Sequence, residues 1–219
     1  MKFLSAPARA ASAFAVFVAV ACAPATQQPP VAGTAPAPAH TATTSPETLP
    51  HTAADVQFMS GMISHHLQAI RISGWMPTHG ANPALLRLGE RIVVGQQDEI
   101  AIMRSWLQDR KEVVPSTDTA QQAMGGMDHS AHMPGMLSPE QLAQLDAAKG
   151  ADFDRLFLTF MMVHHKGALT MVDQLFGSQA AAQNDTVFRI AADIQAEQTT
   201  EINRMQQMLD ALPARAESR

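Results

Sequence analysis

The chain of 219 residues carries a formal net charge of −5 and has an isoelectric point near 5.9. This charge balance excludes the clustered basic face that nucleic-acid binding requires. Aromatic residues make up only 5% of the chain, so the core must be built from aliphatic side chains and from some of the fourteen methionines. The length allows one domain with a substantial core.

The N-terminus has the features of an export signal. Lys2 and Arg9 precede an apolar run, Ala10 to Ala21, that is too short to span a bilayer. The run ends at Cys22, the only cysteine of the sequence, and the residues before it are small. We expect a signal peptide over residues 1–21 and lipidation of Cys22, which would place the exported protein in the periplasm or anchor it to the outer membrane. Cleavage as an ordinary signal peptide is the alternative.

Residues 22–51 consist mainly of Ala, Pro, Thr and Gln. A segment with so few large apolar side chains cannot bury enough surface to offset the entropy lost on ordering. The composition therefore predicts a disordered tether between the leader and the folded part.

The next sixty residues have the periodicity of two helices. Apolar residues recur at three- and four-residue steps from Thr52 to Gly74, which predicts a first helix. Asn82-Pro83 begins a second helix that reaches about Lys111. Because the connection is short, residues 52–111 are predicted to form an antiparallel hairpin.

The second half of the chain follows the same plan. Residues 112–137 have no periodicity and predict a loop. Ser138-Pro139 opens a short helix over residues 138–149, with Gln141 completing a capping box and Gly150 ending it. A second hairpin is predicted over residues 152–211, its second helix capped by Asn184 or Asp185, and residues 212–219 form a tail.

A histidine motif occurs once in each hairpin. Its members are Asp55, Phe58, Met62, His65 and His66 in the first copy and Asp154, Phe157, Met161, His164 and His165 in the second. The second helix of each hairpin carries a Gln–Glu–Met series at positions i, i+3 and i+7: Gln96, Glu99 and Met103, then Gln198, Glu201 and Met205. The repetition predicts an all-α, ferritin-like four-helix bundle built from two duplicated hairpins.

A carboxylate on an apolar helix stripe is normally paired or bound to a metal. Two interpretations remain for Glu99 and Glu201: they ligate a metal together with histidine, or they accept hydrogen bonds from histidine in a structural network. Adjacent residues on a helix diverge by about 100°. We therefore expect at most one histidine of each pair to face the core and its neighbour to lie at the flank. This favours two equivalent hairpin sites over one site of four imidazoles, with Met62, Met103, Met161 and Met205 as soft ligands beside them.

The loop between the hairpins carries the clearest indication of a metal. It contains Met124, Met127, Met133 and Met136 interspersed with His129 and His132. Thioether sulfur is a soft donor that selects Cu(I), and imidazole binds both oxidation states of copper. Thioethers also need no deprotonation and suit an oxidising compartment better than thiols do. The absence of any Glu-x-x-His sequence argues against a di-iron oxidase.

Three stretches together, residues 58–70, 96–107 and 150–168, resemble the domain-of-unknown-function 305 family, and the resemblance covers residues 52–210. These are exported ferritin-like helical proteins, some of them linked to copper binding and tolerance. The resemblance places the paired histidines, both glutamates, Met62, Met103, Met161 and Met205 on signature positions. Where the family has Met-Ala after the histidines, the first repeat has Ile72-Ser73 and the second Met171-Val172, which implies a weaker soft-metal site in the first repeat.

We therefore expect an envelope protein that sequesters or buffers copper, as Cu(I), Cu(II) or both, without catalytic turnover. Another divalent metal is the alternative cargo. Its expected partners are the metal, the membrane through the lipid anchor, and copper-handling envelope proteins or a second copy of itself. The alternatives are a ferritin-like metalloenzyme that handles oxygen or peroxide and a bundle that binds no metal and serves structure or partner binding.

Overall fold

The computed structural model describes residues 50–116 and 133–213. It contains five α-helices: α1 (Ala53–Ser73), α2 (Pro83–Asp109), α3 (Pro139–Ala147), α4 (Gly150–Gly177) and α5 (Asp185–Asp210), with a short 3-10 helix, Met76–Thr78, between α1 and α2. These two ranges contain no strand, so the all-α prediction is confirmed. The predicted leader, Cys22 and nearly all of the predicted tether lie outside the described residues, as do Met124, Met127, His129 and His132 of the loop.

The helices begin at the residues that the sequence indicates. Thr52 caps α1 in a reciprocal capping box with Asp55, and Asn82 caps α2 ahead of Pro83. Ser138 and Gln141 form the predicted capping box of α3. The side chain of Asn184, rather than that of Asp185, accepts the first backbone N–H groups of α5. Local hydrogen bonding of polar side chains therefore sets where these helices start.

The prediction that Gly150 ends the short helix is wrong. The short helix ends earlier, because Ala148 and Lys149 are already extended, and Gly150 is the first residue of α4. Gly150 has a φ of 57° and donates its N–H to the carbonyl oxygen of His79 at 2.7 Å. Glycine is favoured there because a left-handed backbone is needed to begin the next helix in a new direction.

The long helices pair as the hairpin prediction requires. Helix α1 packs along α2 and α4 packs along α5, while α1 also packs against α4, and α3 lies on α4. The two hairpins are therefore joined mainly through their first helices. The specifically ferritin-like arrangement of the four long helices stays a prediction. Across the described ranges, no helix has both the length and the apolar composition needed to cross a bilayer.

The core consists of two apolar clusters, and polar residues occupy the middle of each long helix between them. The first cluster takes residues from α1 up to Ile63 and the second takes them from Ala69 onward. The same division occurs in the other three long helices. Besides Gln68, the buried polar residues between the clusters are His65, His66, Gln96, Glu99, His164, His165 and Gln198, with Glu201 half-buried beside them. We call these eight residues the polar layer.

The aspartate of each histidine motif connects its hairpin to the other one. Asp55 accepts a hydrogen bond from the backbone N–H of Ala182 at 2.7 Å. Asp154 accepts from the backbone N–H of Asn82 at 3.2 Å and from its side-chain amide at 2.6 Å. Both carboxylates are buried, and each binds the connection between the two helices of the opposite hairpin. These contacts fix the hairpins relative to each other.

Replacement of Asp55 or Asp154 by Ala should therefore lower the free energy of unfolding by about 1–3 kcal/mol, because buried donors lose their acceptor. Urea denaturation followed by circular dichroism measures the change. The exposed Asp173 on α4 provides the control, since its replacement by Ala should change the free energy by no more than about 0.5 kcal/mol. Equal effects at all three positions would contradict the bracing role.

Candidate metal centre

The first histidine of each pair faces the opposite hairpin. The rings of His65 on α1 and His164 on α4 lie 3.8 Å apart between centroids, at an interplanar angle of 39°. Nε2 of His65 is 3.1 Å from the carbonyl oxygen of Pro134. Because a carbonyl only accepts hydrogen bonds, Nε2 of His65 must carry the proton, and its Nδ1 has no hydrogen-bond partner among the described residues. Neither nitrogen of His164 has such a partner.

The second histidine of each pair faces the second helix of its own hairpin. Nε2 of His66 lies 2.7 Å from Oε2 of Glu99, and Nε2 of His165 lies 2.7 Å from Oε2 of Glu201. The contact of His165 is also well aligned as a hydrogen bond. Nε2 of His66 lacks that alignment in spite of the short distance. Glu201 thus fixes the ring of His165 through a hydrogen bond, whereas Glu99 lies close to His66 without one. The choice between the two interpretations of the glutamates stays a prediction.

The expectation that one histidine of each pair lies at the flank is wrong. All four imidazoles have zero solvent exposure. Adjacent residues do point in different directions, but here both directions lead into protein: one to the opposite hairpin and the other to the neighbouring helix. A helix with neighbours on two sides can therefore bury both residues of a consecutive pair.

Several buried polar atoms of the layer have no hydrogen-bond partner in the described structure. They include Nδ1 of all four histidines, both amide atoms of Gln96 and Gln198, and Oε1 of Glu99. Buried polar atoms in folded proteins are nearly always satisfied by protein, by ordered water or by a ligand. The polar layer therefore offers donor atoms that the protein itself does not use.

Burial determines the charge of His65, His66 and His164. It lowers the pKa of His65 and His66 to about 3, and the nearby imidazoles of His66 and His165, respectively, contribute to the shift. Burial, followed by the other three imidazoles, also holds the pKa of His164 well below its usual value. These three histidines are neutral at pH 7, which is the form in which imidazole binds metals.

The carboxyl group of Glu99 is shifted in the opposite direction. Burial raises its pKa to about 8, and the carboxyl groups of Glu201 and Asp193 contribute to the rise. Glu99 is therefore largely protonated at pH 7. Its contact with His66 joins two neutral groups and is not an ion pair.

The sequence does not single out two acidic residues next to the polar layer, Asp193 and Glu197. Burial raises the pKa of Glu197, and Glu99, Glu201 and Asp193 raise it further, so these four carboxyl groups are close to one another. Glu197 also approaches α2 where Gly95 leaves room for its side chain. Because Asp193 and Glu197 lie outside the repeated Gln–Glu–Met series, no sequence pattern identified them.

The methionines predicted as ligands lie in the apolar clusters on either side of the polar layer. Met62 and Met103 belong to the first cluster, Met161 and Met205 to the second, and all four are fully buried. Within residues 50–116 and 133–213, no three or more His, Cys, Asp or Glu side chains converge closely enough to hold a metal. Metal ligation by the histidines, glutamates and methionines of the layer therefore stays a prediction.

The end of the predicted loop lies directly against the layer, with Met133 and Met136 half-buried there. Besides accepting the hydrogen bond from His65, Pro134 packs its carbonyl group on Gly167 of α4, where any Cβ would clash with it. The buried amide of Gln68 bonds to both the N–H and the carbonyl oxygen of Leu137, at 2.8 and 3.1 Å. Residues 133–137 are thus held on α1 and α4.

The family described as "Domain of unknown function (DUF305)" matches residues 55–209. The chain therefore belongs to the DUF305 family, as the sequence resemblance indicates. An uncharacterized protein of Acanthamoeba polyphaga mimivirus is 40% identical over 57 residues, which make up 26% of this chain and 38% of the viral protein. The matching region thus spans well under half the length of that relative.

Solved structures share the same fold. A DUF305 fragment from Deinococcus radiodurans is 26% identical, with a TM-score of 0.63, and covers 74% of this chain and 99% of its own. CopM in its Cu(II)-bound form is 28% identical, with a TM-score of 0.57, and covers 71% of this chain and 95% of its own. CopM in its Cu(I)-bound form is 27% identical, with a TM-score of 0.55 over the same shares of the two chains.

The stability of the metal-free protein should decrease as the pH falls from 6.5 toward 5. Unfolded histidine has a pKa of 6.5, whereas that of folded His65 and His66 is about 3, so the unfolded state binds more protons in this range. Replacement of His164 by Leu should reduce the pH dependence. Urea unfolding at constant ionic strength measures it, and an unchanged slope in that variant would contradict the role of burial.

Glu99 should have the opposite effect. Its folded pKa of about 8 exceeds its ordinary value of 4.5, so its contribution to stability is complete below pH 4.5 and is lost as the pH rises through 8. The Glu99→Gln variant should therefore lose less stability than the wild type as the pH rises above 6.5, because the amide of Gln does not titrate. The same urea series tests the histidines and Glu99. The histidines dominate the pH dependence of stability below pH 6.5, and Glu99 contributes above it.

Proposed function

We propose that this protein binds copper in the cell envelope and holds it without catalytic turnover. One observation carries the proposal: the Nδ1 atoms of four fully buried histidines have no described protein partner, and Nε2 of three of these histidines is close to an oxygen atom. Histidines that bind metals through one nitrogen usually donate the other N–H to a carboxylate or a carbonyl group, which fixes the ring. His65 and His165 have this arrangement, and Nε2 of His66 lies close to Glu99 without the alignment of a hydrogen bond.

The chemistry of the surrounding donors favours copper. Imidazole binds several transition metals, but thioether sulfur selects soft ions, above all Cu(I). Methionines border the polar layer on both sides, and the predicted Met/His loop ends against it at residues 133–137. The similarity to CopM, seen with Cu(I) and with Cu(II), supports the same cargo for this chain. Glu99 and Glu201 would then orient histidines rather than ligate the metal.

The functional role of the Met/His loop is part of the proposal. Met124, Met127, His129 and His132 would take up the ion, and the histidines of the layer would retain it. A signal peptide with lipidation at Cys22 would place the protein in the envelope, where copper-handling proteins are its expected partners. Incorporation of labelled palmitate into the wild type, but not into a Cys22→Ser variant, would support the anchor, and no incorporation into either would contradict it.

A structural role for the polar layer is the second candidate. It is favoured by the short contacts of His66 with Glu99 and of His165 with Glu201, and by the absence of a converging group of three ligands in the described ranges. Under this alternative, replacement of His165 would change stability and leave metal content unchanged. The two candidates therefore differ in a quantity that can be measured.

Titration of the protein with Cu(I) against a coloured competing ligand, and separately with Cu(II) and Zn(II), tests the proposal. Copper should bind more tightly than zinc, and Glu201→Leu should lower the copper affinity about 10- to 100-fold because His165 loses the acceptor that fixes its ring. The exposed Glu90 on α2 is the matched control, and Glu90→Leu should leave the affinity unchanged.

A second variant separates the loop from the layer. Replacement of Met124 and Met127 by Leu, together with His129 and His132 by Asn, should slow copper uptake and lower the amount bound, while helix content stays the same. Unchanged binding in this variant would remove the loop from the proposal. Failure of the wild-type protein to bind copper would favour the structural role, and oxidation of an added substrate by the copper-loaded protein would favour an enzyme.

A further inference from the structure

A cavity of about 520 Å³ opens between α1 and α4, beside the first apolar cluster and apart from the polar layer. Phe58 and Gly61 line it from α1, Met171 and Leu175 from α4, and Met133 from the end of the loop. Among the described residues that line the cavity, none is ionisable. The only polar side chains among them are amides and hydroxyls.

Two methionine side chains approach the backbone of Gly61. A Cβ atom on this glycine would lie 3.3 Å from Cε of Met171 and 3.5 Å from Sδ of Met133. The Cε atom of methionine is bonded to its sulfur, so both thioethers approach the same point. Gly61 lies within α1, where glycine costs helix stability, and its missing side chain provides the space in which they meet.

The position of Met133 is fixed by its neighbours. The next residue, Pro134, accepts the hydrogen bond from His65 and lies on Gly167, and Gly135 packs against the same glycine. Met171 is held by helix α4 and has only 8% of its surface exposed. Both side chains therefore reach the cavity from well-supported backbone.

The donor atoms that line the cavity favour a cation with a single positive charge. Thioethers are neutral and soft, and no described carboxylate or imidazole lines the cavity to balance a second positive charge. A monovalent soft cation needs the least compensation and forms the strongest bonds to thioether sulfur. Cu(II) and Zn(II) prefer imidazole and carboxylate donors, which the described lining of this cavity lacks.

We propose that Met133 and Met171 form a thioether site for a monovalent soft cation, Cu(I) or its analogue Ag(I), between α1 and α4. The site is separate from the histidines of the polar layer. It extends the proposed copper-binding function, on which it rests, by assigning Cu(I) a site of its own. The polar side chains of Gln57, Ser60, Gln174 and Ser178 line the same cavity and provide its hydrogen-bonding side chains.

Titration of the full chain with Ag(I) and with Cu(I) tests the site. Met133→Leu and Met171→Leu should each lower the affinity for Ag(I) and Cu(I) by more than about 10-fold. Loss of a residue that supports a metal ligand only indirectly already costs roughly 10-fold, and a direct ligand should cost more. Both variants should leave the affinity for Cu(II) unchanged. Met208→Leu is the matched control, because Met208 is half-buried like Met133 but does not line the cavity.

Gly61→Ala is an independent probe that keeps both sulfur atoms. Its Cβ would push the tip of Met171 away by a few tenths of an ångström and would contact the sulfur of Met133, while the helix itself gains a better helix former. We expect weaker Ag(I) and Cu(I) binding with unchanged helix content and an unchanged or higher melting temperature. If binding weakens only together with a fall in helix content or melting temperature, the result counts against the site.

X-ray absorption at the copper edge of the Cu(I)-loaded chain supplies the direct readout. The sulfur contribution should be present in the wild type and should decrease in the Met133→Leu/Met171→Leu double variant. If that variant keeps the Cu(I) affinity and the sulfur contribution of the wild type, the thioether site is wrong and the proposed function stands. If the wild-type chain binds neither Cu(I) nor Cu(II), the proposed function fails together with the site.

Discussion

The buried polar layer is the constraint on which the rest of the structure depends. Four imidazoles and two glutamine side chains lie in the middle of the bundle with few hydrogen-bond partners in the described residues. Burial of such groups is unfavourable unless it is compensated. Burial of apolar side chains in the two clusters above and below the layer compensates for this cost. The layer must therefore lie at the same height in all four long helices. The cross-hairpin bonds of Asp55 and Asp154 help to keep that level.

The loop and the layer are one feature of the structure, although the sequence presents them as two. The hydrogen bond between His65 and Pro134 joins them directly, and Gln68 holds Leu137 just beyond. Gly167 permits the close approach, because a larger residue would clash with the carbonyl group of Pro134. The Gly that follows the second histidine pair by two positions therefore has a steric role that the motif alone does not reveal.

Much of the fold could be predicted from the sequence because its signals are local. Caps at Thr52, Asn82 and Ser138 act within one helical turn, and the repeated spacing of histidine and glutamate indicated that these two residue types would lie near each other in the core. The prediction for Gly150 is wrong because a glycine can either end one helix or begin the next. The extended conformation of Ala148 and Lys149, which the sequence does not show, makes it the start of α4.

The tertiary contacts could not be predicted in the same way. No sequence spacing indicates that the rings of His65 and His164 lie 3.8 Å apart, because they come from different hairpins. Asp193 and Glu197 approach Glu99 only when α2 and α5 are placed together. The cavity at Gly61 likewise depends on three separate segments that meet in space. Sequence periodicity assigns a residue to a face of its helix, but it does not identify what lies opposite.

Full burial of the four imidazoles also has a kinetic consequence. A water molecule or an ion can reach atoms with zero exposure only when the helices around them separate for a moment. Such openings are much slower than diffusion, with times from about microseconds to seconds. Anything held in the layer would therefore leave at a rate set by local unfolding of the bundle and not by the strength of its bonds alone. This property suits a store better than a shuttle.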